Sequence, residues 1–316
     1  MYELLIIGGG PAAAAGAVYA GRKQINTAII TENFGGQSIV SNEIYNWVGS
    51  KAISGIDLAS NLENHAKEHV KDVFEGERVV GVEKVDGGPP SGFFRVTTNK
   101  NNTYESKTLL IATGSRRRRL GVPGEDRLDG KGVVFCSTCD APLFKNKRVV
   151  IVGAGNAGLE ASIDSIPYAS EITLLVRGTE MRGDAVTQAK VTAHPKIKIR
   201  YNTVIEEILG DKMVSSVKIL DKSTGAKEEL AVEGVFVEIG AIPNSDFLKD
   251  LVSLDERNEI IVDPKTQASN CTGIWAAGDV SNVLYKQNNI SAGDAVKALL
   301  NIYEYLHHNH LTGAHK

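Results

Sequence analysis

Cysteine is scarce in this chain: there are three in 316 residues. That is too few for a disulfide framework, and a reducing cytosol would not maintain one. Charge of one sign is also missing. A formal net charge of -3 and a pI near 6.2 exclude general nucleic-acid affinity, which needs an excess of cations to displace phosphate counterions. No apolar run approaches the ~20 residues of a bilayer-spanning helix, so no membrane association is expected. The opening MYELLIIGGGPAAAA has no basic leader and breaks into glycine at once. A soluble cytoplasmic protein is therefore expected, in which the glycosylation sequon Asn270-Cys271-Thr272 stays idle.

What is present is enough apolar residue, 42% against 23% charged, for two ordinary globular domains. Residues 3–20, ELLIIGGGPAAAAGAVYA, and 147–164, KRVVIVGAGNAGLEASID, share one plan: an apolar strand, a glycine-rich turn, then an alanine-rich helix. In each, the first glycine (Gly8, Gly153) suits the tight turn and the second (Gly10, Gly155) lets backbone approach a pyrophosphate. The third small residue (Ala13, Gly158) lets the helix pack on the strand, so that its N-terminal N–H groups face the phosphates. One such fingerprint is weak evidence, and a turn that binds nothing reads the same way; two copies, each directly after a strand, are much stronger.

The copies differ beyond their helices. After the strand TAII (27–30) comes Glu32, placed to accept hydrogen bonds from a ribose with a free 2′-hydroxyl. After EITLLV (171–176) comes Arg177, with Arg182 five residues on. Arginines there suit a 2′-phosphate, although solvated charges at a strand end would look the same.

Further motifs are spaced along the chain: GGGPAA (8–13), FGGQ (34–37), Asn46 in YNWVG, IATGS (111–115), VPGED (122–126), CSTCD (136–140), GAGNAGLE (153–160), IGAIPNS (239–245), AAGD (276–279) and YKQ (285–287). In this order they resemble the low-molecular-weight thioredoxin reductase family, from about residue 2 to 306. The chain is equally similar to the flavoprotein subunit of alkyl hydroperoxide reductase without that protein's N-terminal extension. The resemblance implies an α/β fold of two dinucleotide-binding, Rossmann-like domains, the second inserted into the first. The FAD domain would comprise 1–115 and 246–316, and the inserted pyridine-nucleotide-type domain 116–245. It also implies a homodimer. By resemblance Gly8, Gly10, Ala13, Glu32, Gly36, Gln37, Asn46, Thr113, Gly278 and Asp279 hold FAD, with Gln287 near the flavin ring. Asp279 has its own rationale, since an acid after Ala-Ala-Gly at a strand end can bond ribitol hydroxyls; an Asx turn is the alternative.

CSTCD admits three readings. A metal site needs two further ligands at matching spacing, and neither Cys271 nor the histidines supply them, so no metal is expected. A structural disulfide is disfavoured by the compartment. A redox dithiol remains, and the flavin motifs favour it. Within the family, Cys139 would face the flavin, Cys136 would attack a disulfide on a thioredoxin-like protein, and Asp140 would serve as the acid, a role that needs a raised pKa. The inserted domain would turn to present the dithiol, with hinges at 121–124 and 240–243.

The electron donor is the open point. The family's NADPH signature, His-Arg-Arg with a further Arg three residues later, here keeps Arg177 and Arg182 and loses the histidine. NADH finds no acid at Val176. NADP(H), or more broadly NAD(P)H, is preferred because the second glycine fingerprint is intact. The alternative is a ferredoxin-dependent flavin thioredoxin reductase, for which Arg116 to Arg119 could steer an acidic electron carrier and the tail after Leu306 could cover the flavin. A solvated crossover and a mobile terminus explain those two features as well. A flavoprotein acting only as a redox sensor is a third reading, against which the dithiol and its neighbouring acid speak.

Overall fold

The computed structural model describes residues 1–41, 44–86 and 92–311, without the side chains of Val40 and 308–311. The chain forms two compact units, Met1–Arg116 with Ile242–Lys316, and Arg117–Ala241.

In the first unit β1 (Tyr2–Ile7) leads through the glycine turn into α1 (Pro11–Arg22). The last four residues of β1 are buried without alternation, as expected of a parallel strand covered on both faces. Proline at the helix start and the alanines behind it favour α1, whose small residues let it lie close to the sheet. A side chain at Gly16 would meet Leu110 Cδ2 at 2.6 Å. Then follow β2 (Thr27–Thr31), α2 (Gly55–His69, capped by Ser54) and β3 (Asp72–Glu75). Next come β4 (Val79–Val85), β5 (Phe93–Thr98) and the long β6 (Thr103–Ile111). The sheet runs β3-β2-β1-β6-β5-β4. β6 pairs parallel with β1 and antiparallel with β5. Its end also takes β17 (Ile274–Ala276) in parallel, bringing the C-terminal segment into the same sheet. α6 (Asn288–Leu311) packs on α1, and Leu299, Ile302 and Trp275 close the core over Ala13 and Ala17.

The crossovers are the short strands β7 (Ser115–Arg117) and β16 (Ala241–Pro243), which pair with each other. In the second unit β8 (Val133–Val134) leads into the one-turn helix α3 (Ser137–Asp140). β9 (Arg148–Val152), α4 (Asn156–Ser165), β10 (Glu171–Leu175), α5 (Ala185–Ala193) and β11 (Ile197–Arg200) come next. A three-stranded antiparallel layer, β12 (Thr203–Gly210), β13 (Val214–Asp221) and β14 (Lys227–Ala231), precedes β15 (Gly234–Val237). The main sheet, β11-β10-β9-β15-β8, is parallel throughout. Its order repeats β3-β2-β1-β6-β17 of the first unit, so the duplicated sequence plan is a duplicated architecture. In both sheets the strand order reverses beside the strand that carries the glycine turn, the place where such folds bind ligands.

Candidate active site

The turns after β1 and β9 have nearly the same backbone. Gly8 has φ +128° and Gly153 φ +116°. Gly10 and Gly155 cap the helices α1 and α4 at φ/ψ of -81°/-172° and -84°/-173°, without a side-chain cap. The first glycine is required by packing as well as by φ. A Cβ at Gly8 would lie 2.2 Å from the Ala112 carbonyl oxygen, and one at Gly153 would lie 2.3 Å from that of Glu238. The second glycine is not crowded by protein, since a Cβ at Gly10 would find only Gly36 Cα, at 3.9 Å. What Gly10 leaves open is space at the uncapped N-terminus of α1, where N–H groups attract phosphate.

That space is part of a cleft of about 790 Å³ lying wholly in the first unit. Of the residues expected to hold FAD, Gly8, Gly10, Glu32, Gly36, Gln37, Thr113, Gly278 and Asp279 line it. Ala13 does not; it is fully buried beneath α1, where its size lets the helix seat. Asn46 and Gln287 lie off the cleft wall and bond to each other, Asn46 Nδ2 donating to Gln287 Oε1 at 3.1 Å. Gln37 Nε2 donates to the Ser115 carbonyl and, at 3.2 Å, to Ser115 Oγ, which reaches Asp279 Oδ2 at 3.5 Å. Three distant segments thus meet at one wall. Ser115, Asn244, Asn288 and Ser291 also line the cleft, and sequence reasoning did not single them out. Asn244 and Ser115 stood within quoted motifs, whereas Asn288 and Ser291 carried no signal beyond their place at the start of α6. The cleft suits FAD: a large cavity, an open backbone cradle at one point, and two carboxylates able to accept from hydroxyls, Glu32 and Asp279, on its walls.

In the second unit Cys136 and Cys139 form a disulfide with their Cα atoms 5.4 Å apart. Cys136 caps α3 and Cys139 lies within it, where the Asp140 N–H donates to the Cys136 carbonyl at 3.0 Å. Burial pushes the Asp140 carboxyl up to about 6, against the opposing charge of Arg117. An acid that keeps its proton close to neutrality is what the dithiol chemistry requires. Glu238, just beyond β15, is a residue sequence reasoning missed. Burial lifts it to about 7; Arg117 and the Ser137 N–H oppose this, while the charges of Asp140 and Asp164 add to it. The third carboxylate, Asp164 on α4, accepts from Ser137 Oγ at 2.9 Å. No group of three or more His, Cys, Asp or Glu side chains is arranged to hold a metal ion among the described residues.

Gly158 packs α4 against the turn, since a Cβ there would lie 1.9 Å from the Gly153 carbonyl oxygen. Arg177 and Arg182 are exposed past the end of β10, and neither makes an ion pair among the described residues. The Arg182 N–H donates to the Ala154 carbonyl at 2.7 Å, which places that residue at the second glycine turn. The run Arg116 to Arg119 is not a free patch. Arg116 bonds Asn244 Oδ1 at 2.9 Å and lies 3.7 Å from Asp246. Arg117 faces Asp140 and Glu238, and Arg119 pairs with Asp126 and Asp129 and covers the Phe135 ring. Neither Arg117 nor Arg118 makes an ion pair among the described residues. The tail from 312 lies outside the described residues.

Across residues 2–297 the chain matches the pyridine nucleotide-disulphide oxidoreductase family. It belongs to that family. The thioredoxin reductase of Streptococcus pyogenes has a similar structure, with a TM-score of 0.88, 34% identity, and 97% of this chain and 98% of that one covered. A thioredoxin reductase from Giardia duodenalis superposes with a TM-score of 0.87 at 30% identity, covering 97% and 99%. An alkyl hydroperoxide reductase subunit of Staphylococcus epidermidis is 38% identical over 308 residues, 98% of this chain and 60% of that one. Its counterpart in Pseudomonas putida is 40% identical over 306 residues, 96% of this chain and 58% of that one. The chain therefore spans less than two thirds of the length of these curated relatives.

Proposed function

We propose that the protein reduces the disulfide of a thioredoxin-like protein, with NAD(P)H as electron donor, FAD in the first unit and the Cys136–Cys139 pair as the exchanging dithiol. The observation that carries this reading is the bonded cysteine pair with Asp140 directly behind it, its carboxyl raised by desolvation, in a chain with two dinucleotide cradles.

FAD, when bound, supplies the two electrons that open the disulfide. In the first unit α1 with its glycine turn would hold the pyrophosphate, Glu32 the adenosine ribose and Asp279 the ribitol hydroxyls, with Gln37 also on the cleft wall. In the second unit Gly153, Gly155 and Gly158 shape the nicotinamide dinucleotide cradle, and Arg177 with Arg182 grip a 2′-phosphate. Cys136 attacks the acceptor disulfide, Cys139 closes on Cys136 to release it, and Asp140 holds and returns the proton that this exchange requires. A homodimer is part of the same reading, taken from the resemblance.

The test is anaerobic reduction of the flavin-loaded protein by NADPH, NADH and reduced ferredoxin in parallel. Fast bleaching by NADPH or NADH supports the reading. Bleaching by ferredoxin alone overturns the donor, and release of FMN or no flavin from reconstituted protein overturns the cofactor.

A further inference from the structure

The turn that carries the cysteines is too short to hold itself. α3 has four residues, Ser137 to Asp140, and a helix of one turn has no stability of its own in water. Within it the Asp140 N–H donates to the Cys136 carbonyl at 3.0 Å, and the Ala141 N–H donates to the Ser137 carbonyl. The chain is anchored before the turn, where Val134 of β8 pairs with Phe236 of β15, and after it, where Ala141 and Phe144 are buried in the core. Between the cysteines Thr138 faces solvent, whereas Ser137 is buried and its Oγ donates to Asp164 Oδ2 at 2.9 Å. Asp164 belongs to α4, whose Leu159 and Ala161 are fully buried in the same core, so the acceptor stands on a fixed element.

We propose that Asp164 is a positioning residue for the redox pair: through Ser137 Oγ it pins the turn to α4 and so favours closure of the Cys136–Cys139 disulfide. The inference rests on the dithiol reading given above. The physical reason is shared ordering. The disulfide and the Ser137–Asp164 bond order the same few residues, so each costs less conformational entropy when the other is in place, and the coupling is reciprocal. Loss of the bond therefore weakens the disulfide. The same anchor serves the last step of exchange. There the Cys139 thiolate attacks the Cys136 sulfur, the Cys136–Cys139 bond forms, and the acceptor sulfur leaves as a thiolate with the electron pair of the broken bond. A turn that stays in place keeps Cys139 within reach of that sulfur, whereas a loose one lets the mixed disulfide persist.

The test needs neither the electron donor nor the acceptor. The flavin-loaded full-length protein is equilibrated without air in stepped ratios of reduced to oxidised glutathione; two glutathione thiols open the pair and leave as one glutathione disulfide. After an acid quench and alkylation, mass spectrometry counts the free thiols in the peptide that holds both cysteines. Ser137→Ala and Asp164→Ala should each make the pair roughly fivefold easier to reduce, a shift of about 20 mV, and the double variant should add nothing further. Asp164→Asn, whose amide oxygen still accepts from Ser137 Oγ, should keep the wild-type equilibrium. A bond that only stabilised the fold would lower the melting temperatures of oxidised and reduced protein alike and leave the equilibrium unmoved; that result overturns the inference and spares the dithiol reading. Asp164→Asn behaving as Asp164→Ala also overturns it, because charge and not the bond would then be responsible. A wild-type pair that no glutathione ratio opens overturns the dithiol reading and this inference together.

Discussion

Thr113 and Asn244 stand 131 positions apart and exchange hydrogen bonds, Thr113 Oγ1 donating to the Asn244 carbonyl at 2.8 Å and Asn244 Nδ2 donating to the Thr113 carbonyl at 2.9 Å. The Asn244 N–H also reaches the Gly114 carbonyl at 3.0 Å. One residue therefore fixes where the chain leaves the first unit and where it returns, beside the cleft that both segments line. Replacing Asn244 by Ala removes the side-chain donor to Thr113 and the acceptor for Arg116, at a cost of ~1–3 kcal/mol. A lower melting temperature and faster FAD loss should appear together; unchanged flavin retention would mean that this bond does not shape the cleft.

The two glycines of the first turn should fail differently. Gly8→Ala puts a Cβ 2.2 Å from the Ala112 carbonyl oxygen at a φ of +128°, so soluble expression and melting temperature should both fall. Gly10→Ala meets nothing nearer than 3.9 Å and should fold normally, yet its methyl group occupies the pyrophosphate approach. Reconstitution with FAD, followed by fluorescence, should show at least tenfold weaker binding for Gly10→Ala, on the order of 1.4 kcal/mol. Wild-type affinity there would remove the first turn from the cofactor site.

Asp140 fixes the sign of a pH effect. Its carboxyl is raised to about 6 by burial, so the folded state binds its proton more tightly than the unfolded chain does. Its contribution is most favourable below the ordinary carboxylate range and is lost as pH rises through about 6, the reverse of a salt-bridged acid. Thermal melts of oxidised wild type and Asp140→Asn should therefore diverge on going from pH 4 to pH 8, the variant losing less stability. Parallel curves would show that Asp140 titrates as an exposed aspartate does.

Arg177 and Arg182 test the nicotinamide reading. If they hold a 2′-phosphate through charge-assisted bonds of ~1.5–3 kcal/mol each, replacing both should raise KM for NADPH tenfold or more and leave NADH nearly unchanged. Steady-state kinetics with both donors read this directly. Equal effects on the two donors would assign the arginines to something other than the 2′-phosphate.

The sulfurs can be told apart by trapping. With Cys139→Ser, Cys136 has no partner to displace an acceptor, so incubation with an oxidised thioredoxin-like protein should leave a stable mixed disulfide, visible on non-reducing gels. Cys136→Ser should trap far less. The opposite pattern would exchange the two roles.

By itself the sequence determined the local architecture. A strand, a glycine turn and a small-residue helix depend on neighbours within about a dozen positions, so both cradles, Gly8 and Gly153, and the cysteine turn with Asp140 behind it were legible as written. Only the tertiary structure decided the rest. Arg116 to Arg119 read as a block of like charge, and pairing with Asp246, Asp126 and Asp129 engages Arg116 and Arg119, which the sequence alone does not show. The cleft wall of Gln37, Ser115 and Asp279 depends on β6 pairing with both β1 and β17, contacts between segments more than a hundred residues apart. Nothing in the sequence singled out Glu238. Its desolvation near Asp140 arises because the sheet order brings β15 next to β9 and α4 packs against α3. Burial and charge neighbourhood are set by the folded chain, and the pKa of a carboxyl depends on both.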